Sequence, residues 1–181
     1  MNFIPEQTKT AASVPYFEDV SSDAGWQGQT TNKTIATLKS EITASISRLG
    51  GMIVGFQKGI FNTDDKSRDG FRIHYTIETP DGKLIPGRID IAALPTRPYT
   101  RRGRGAEITR EERSLRMSLY MFRMAMDGQW FLQQLSPGYA PLMPFMLATK
   151  DQTVSQLWSE GSTMKALLPP SNSDFIDAEV V

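Results

Sequence analysis

The sequence predicts an α+β fold, a three- to four-stranded antiparallel sheet backed by an N-terminal helix and a long C-terminal helix in the order α-β-β-β-α. Three observations lead there. Ile35, Leu38, Ile42, Ile46 and Leu49 recur every three or four residues, which puts them on one face of a helix. Residues 71–78, FRIHYTIE, alternate apolar and polar, the period of a half-buried strand. Leu115, Leu119, Phe122 and Met126 then return to helical spacing. A sheet with one apolar face needs cover, and two striped helices supply it.

Taken in order, residues 1–30 lack periodicity and read as a flexible or loosely docked tail, with Trp26 its one tryptophan anchor. A single domain is expected over residues 31–168. Thr31 or Asn32 can cap the first helix, and Gly50 and Gly51 end it, because glycine accepts a left-handed backbone. MIVGFQKGIF, residues 52–61, reads as a strand, and NTDDKSRDG, residues 62–70, as a polar loop. In the next strand Phe71, Ile73, Tyr75 and Ile77 share one face. Pro80, Asp81 and Gly82 suit a tight turn. LIPGRIDIAAL, residues 84–94, returns with Ile85, Ile89 and Ile91 on one face and Arg88 and Asp90 on the other. Pro86 lacks a ladder donor and marks a sheet edge. Thr109 followed by Glu112 predicts a capping box at the start of the long helix. Met117, Met121 and Met124 broaden its apolar stripe, and Asp127 and Gly128 are expected to interrupt it. A proline-rich loop and a short helix, TVSQLWSE, lead to a flexible acidic tail over residues 169–181.

Composition narrows the chemistry. The chain has no cysteine, which excludes disulfides, thiol catalysis and cysteine-bound zinc. The first residues lack a basic and then apolar leader, and no apolar run nears the roughly 20 residues needed to span a bilayer. A cytoplasmic protein with no membrane partner is expected. Net charge is zero, with 20 basic and 20 acidic residues, so no whole-molecule field draws the chain to a polyanion. The charge is unevenly placed, however.

Catalytic signatures are weak. His74, the only histidine, falls on the polar strand face and reads as a surface residue. DKSRDG, residues 65–70, matches the opening of a calcium loop, with oxygen ligands at Asp65, Ser67 and Asp69, but its twelfth position is Thr76 where a bidentate glutamate belongs. Asp64, Asp65, Glu78, Asp81 and Asp90 could serve a metal-dependent nuclease only if a rigid scaffold gathered them. GRGA, residues 103–106, lacks the lysine and hydroxyl residue that close a phosphate loop. The chain is therefore expected not to be an enzyme, and no cofactor or metal is expected.

The densest feature is RPYTRRGRGAEITREERSLRM, residues 97–117, with seven arginines. Pro98, Gly103 and Gly105 make its first part a loop carrying Arg97, Tyr99, Arg101, Arg102 and Arg104. Arg110, Arg113 and Arg116 follow every three residues along the helix. Arginine forks fit phosphate oxygens and stack on bases, and a basic segment with an aromatic suits single-stranded nucleic acid. Arg72 and Arg88 on the polar sheet face would extend the surface. The opposing expectation pairs Arg110 and Arg113 with Glu107, Glu111 or Glu112 and leaves little net field.

The closing residues, DFIDAEVV, resemble the acidic C-terminal ends of phage and plasmid recombination proteins, including single-strand annealing and single-strand-binding proteins. That resemblance implies that Asp174, Phe175, Ile176, Asp177 and Glu179 recruit a protein partner. Residues 31–170, with RSLRMSLYMFRM and ALLPP, are similar in layout to uncharacterised small proteins of phages and mobile elements. The expected function is thus a nucleic-acid-binding accessory protein, with single-stranded DNA favoured, serving replication, recombination or defence in a mobile element. The other expectation is a non-catalytic protein adaptor that uses the methionine-rich helix and proline-rich loop. A homo-oligomer is compatible with both.

Overall fold

In the computed structural model, which describes residues 14–63, 66–98 and 108–161, the predicted α+β class and element order are observed. Helix α1 spans Ile35–Arg48. Strands β1 (Gly51–Thr63), β2 (Lys66–Glu78) and β3 (Leu84–Ala92) form one antiparallel sheet in the order β1-β2-β3. Helix α2 spans Arg110–Leu135 and α3 spans Val154–Ser159.

Residue chemistry explains the boundaries. The cap of α1 is Thr34, not Thr31 or Asn32: its side chain accepts from the Thr37 amide at 3.1 Å, while the Thr31 hydroxyl accepts from the Lys33 amide one turn earlier. The helix closes on Gly50 at φ +88°, and Gly51 already belongs to β1. Residues 62–70 are not a loop. The β1–β2 ladder runs as far as the Thr63–Lys66 pair, leaving only Asp64 and Asp65 between the strands, both outside the described residues. Helix α2 also continues through Asp127 and Gly128. A Cβ at Gly128 would meet open space, so this glycine lowers helix propensity by about 1 kcal/mol without breaking the ladder. Thr109 caps α2 by accepting from the Glu112 amide, but the Glu112 carboxylate turns to Arg116, so the reciprocal half of the capping box is absent.

The core lies between one face of the sheet and the two long helices. On β2, Phe71, Ile73 and Tyr75 point inward beside Ile91, Ile89 and Gly87 of β3, against Leu38, Ile42 and Ile46 of α1 and Leu115 and Leu119 of α2. A bulge at Val54 lets both Ile53 and Phe56 face this core, because the register shifts between Ile53 and Gly55. Tyr75 is 1% exposed. Its hydroxyl donates to the Leu142 carbonyl at 3.0 Å, and burial pushes its ionisation well above that of an ordinary phenol. A Cβ at Gly87 would sit 2.2 Å from Tyr75 Cζ, so only glycine fits there. Beyond α2 the chain returns along β3, the predicted edge strand. The Leu147 amide donates to the Pro86 carbonyl at 3.0 Å.

Residues 14–30 build a second, smaller core. Val20 is buried with Leu94 and Met117, and Val14, Phe17, Trp26 and Met121 pack around them. The Phe17 amide donates to the Pro95 carbonyl at 2.9 Å. The two long helices are clasped by Asp127 of α2, whose carboxylate accepts from Ser45 of α1 at 2.7 Å and from Arg123 at 2.8 Å, with Arg48 at 3.6 Å. Burial alone would raise the Asp127 carboxyl, but the Ser45 and Arg123 hydrogen bonds and the positive charges of Arg123 and Arg48 outweigh it and hold it below its ordinary range.

Two predictions follow from this packing. Gly87→Ala overpacks the Tyr75 contact and should cost about 1–3 kcal/mol, read as a lower thermal unfolding midpoint. The Asp127 carboxyl has a lower pKa folded than unfolded, so its contribution is complete above the unfolded value and is lost as pH falls through the folded one. An acid titration of stability should therefore show a steeper loss for the native chain than for Asp127→Asn, and identical acid limbs would refute the clasp.

Candidate functional site

Of the ten basic and aromatic residues singled out from the sequence, six lie among the described residues. Tyr99, Arg101, Arg102 and Arg104 lie outside the described residues, as do Asp174, Phe175, Ile176, Asp177 and Glu179 of the tail. The other six fall into three settings.

Arg72 and Arg88 lie on the sheet face turned away from α1 and α2, where alternation puts them. Arg72 faces Asp90 across the ladder and donates to both of its oxygens, at 2.8 and 3.0 Å. That pairing stabilises the charged guanidinium and raises its pKa. Arg88 is a structural cation. It donates to the Asp151 carbonyl at 2.8 Å and the Gln156 side chain at 2.7 Å, with Asp90 at 3.6 Å, so it ties the α3 segment to the sheet. Its side chain is 11% exposed. His74 is exposed beside it in the register, between Gly55 and Arg88. Ser67 and Asp69 of the apparent calcium loop are strand residues, and among the described residues no three His, Asp or Glu side chains could together hold a metal ion.

Arg97 and Arg110 flank the undescribed segment 99–107, and the same acidic pair engages both. Glu18 accepts from the Arg97 amide at 3.2 Å through each of its oxygens and from the Arg110 guanidinium at 2.7 Å. Asp19 accepts from the Arg97 guanidinium at 2.6 Å. Burial would raise the Glu18 carboxyl, but its own backbone amide and the donors from Arg110 and Arg97 prevail and hold it low. Of the acids expected to pair with Arg110, Glu107 lies outside the described residues, while Glu111 accepts from Thr96 and Glu112 from Arg116. Glu18 was invisible as a partner because 92 residues of sequence separate it from Arg110.

Arg113 and Arg116 form the third setting, and it is the one that makes a cavity. Residues 29–32 run beside the first turns of α2. Gln29, Thr30, Thr31 and Asn32 face Arg113 and Arg116 across a cleft of about 260 Å³. A wider, more open cleft of about 690 Å³ adjoins it, sharing residues 30–32 and lined further by Lys33 and Tyr120. Gly28 positions this loop. At φ +86° it adopts a backbone that other residues rarely take, and a Cβ there would lie 2.6 Å from Tyr120 Cδ1. Arg116 is held by Glu112 at 2.6 Å, and Lys33 by Glu41 at 2.5 Å. Arg113 is exposed, and among the described residues no carboxylate pairs with it. Gln29 already donates its side-chain amide to the Val20 carbonyl at 2.5 Å, so the cleft offers the Thr30 and Thr31 hydroxyls and the Asn32 amide around one open guanidinium, a donor set for a phosphate-like anion. The sequence shows the two arginines but not the loop, because residues 29 and 30 read as the end of a tail and Thr31 and Asn32 as helix caps.

No family model, no curated protein and no solved structure matches this chain. The site therefore rests on its own chemistry.

The Arg88 geometry makes a separable prediction. Arg88→Met removes two charged hydrogen bonds, to the Asp151 carbonyl and the Gln156 side chain, and should lower stability by about 1–3 kcal/mol. Thermal unfolding should show that loss, and proteolysis should reach the α3 segment sooner. Unchanged melting would refute the structural role.

Proposed function

We propose that this protein is a non-catalytic nucleic-acid-binding accessory protein, with single-stranded DNA as its favoured ligand. The observation that carries the reading is the cleft in which Gln29, Thr30, Thr31 and Asn32 face Arg113 and Arg116. Neutral donors around an open guanidinium suit a phosphodiester, which needs several hydrogen bonds and one compensating charge. Arg97 and Arg110 place two further guanidinium groups at the start and end of the arginine-rich segment. The setting of replication, recombination or defence in a mobile element is supported by the sequence resemblances alone. The extensive internal pairing of arginines, together with zero net charge, argues for moderate affinity with marked salt sensitivity.

A second reading, a protein adaptor, has its own support. Residues 124–135 of α2 carry a single charge, Asp127, which turns to α1, and they expose Phe131 (58%) and Leu135 (81%). An apolar contact there would depend little on salt.

The deciding measurement is fluorescence anisotropy with labelled single-stranded DNA, double-stranded DNA and single-stranded RNA at low and moderate salt. Binding should be tightest to single-stranded DNA and should weaken as salt rises. Arg113→Ala should reduce the logarithmic salt slope by about one unit, and changing Arg101, Arg102 and Arg104 together to alanine tests the rest of the arginine segment. Absence of binding at low salt would overturn this function in favour of the adaptor.

A further inference from the structure

The contact between residues 17–20 and the two arginines at the ends of segment 98–109 has a geometry that the fold does not require. The segment is already anchored by apolar groups. Val20 is buried against Leu94 and Met117, and the Phe17 amide is bonded to Pro95. Between those anchors the chain turns two carboxylates onto cations. The oxygens of Glu18 collect the Arg97 amide and the Arg110 guanidinium, and Asp19 takes the Arg97 guanidinium at 2.6 Å. Tyr16 adds its ring, 5.2 Å from the Arg97 guanidinium carbon and 4.3 Å from Lys66 Nζ.

Two guanidinium groups and a backbone amide converging on a few oxygens are what a phosphate group needs, and a phosphate presents more oxygens than one carboxylate. We infer that Arg97 and Arg110 form an anion site for the nucleic-acid backbone, and that Glu18 and Asp19 are its built-in competitor, occupying the site until a polyanion displaces them. The inference rests on the nucleic-acid reading above and deepens it.

Physical arguments favour displacement. All four partners are partly exposed, with Arg97 57% and Asp19 44% accessible, and ion pairs in that setting are individually weak and screened by salt. A ligand that also engages Arg113 in its cleft gains contacts that the carboxylates cannot match. Phe17 and Val20 keep the displaced carboxylates close, at high effective concentration, so they return when the ligand leaves. Competition of this kind suppresses weak, non-specific binding more than binding by a long strand that spans both places.

The test compares the full chain with the double variant Glu18→Gln, Asp19→Asn and with Glu18→Gln alone, using anisotropy of labelled oligothymidylate at low and moderate salt. The double variant should bind roughly three- to tenfold tighter, the gain expected from removing two weak competing pairs, and adding Arg97→Ala should cancel the gain. The charge-matched pair Glu78→Gln, Asp81→Asn sits at and just past the C-terminal end of β2, the end opposite Lys66, and should show no comparable change. Equal affinity of native chain and both variants would overturn the competitor while leaving the interface standing, as would equal tightening in the charge-matched control. Binding by none of them would overturn both.

Discussion

The fold depends on one buried phenol and the space made for it. Tyr75 stands at the middle of the core face of β2, where its ring takes the volume that a side chain at Gly87 would fill. Burying a phenol without a partner would leave a costly orphan donor. The Leu142 carbonyl supplies the partner, and in doing so brings the chain that follows α2 back onto the sheet. From that point the chain can pair with β3 at Pro86 and Gly87 and place α3 where Arg88 holds it. The sheet, the return segment and the last helix are therefore linked through one hydroxyl and one missing Cβ.

Charge is organised on the same economical pattern. An arginine cluster in sequence suggests a continuous basic surface, yet the described arginines are dispersed among separate tasks. Arg123 and Arg48 serve the clasp between α1 and α2, Arg88 holds α3, Arg72 satisfies Asp90, and Arg116 is tied to Glu112 one turn away. Arg97 and Arg110 meet carboxylates from the far N-terminal segment. Arg113 stands apart, beside the polar loop 29–32. On the proposed function, affinity for a polyanion would be a competition between internal and external anions, which would couple the ligand to the docking of residues 14–30.

The fold was legible where local chemistry and tertiary packing agree. The stripe from Ile35 to Leu49 and the alternation from Phe71 to Ile77 both face the core as their periods require. Legibility failed where a local rule was overruled. Asp127 and Gly128 look like a helix stop, but a carboxylate committed to Ser45 and Arg123 is no longer a breaker. Residues 62–70 look like a loop because their side chains are polar, whereas strand pairing is made by backbone groups that polarity does not reveal. The β1 pattern was obscured because the Val54 bulge changes its parity midway.

The candidate site divides along the same line. By itself the sequence determined the class of fold, the core faces of the sheet and helices, and the presence of more arginine between residues 97 and 123 than local acids can balance. Tertiary structure alone decided which arginines are engaged and by what. Periodicity reports on neighbours within one helix or strand, a few residues apart. The partners that matter here, Glu18 for Arg110, Gln156 for Arg88 and the 29–32 loop for Arg113, are separated from them by most of the domain and meet only because a shared core brings their backbones together.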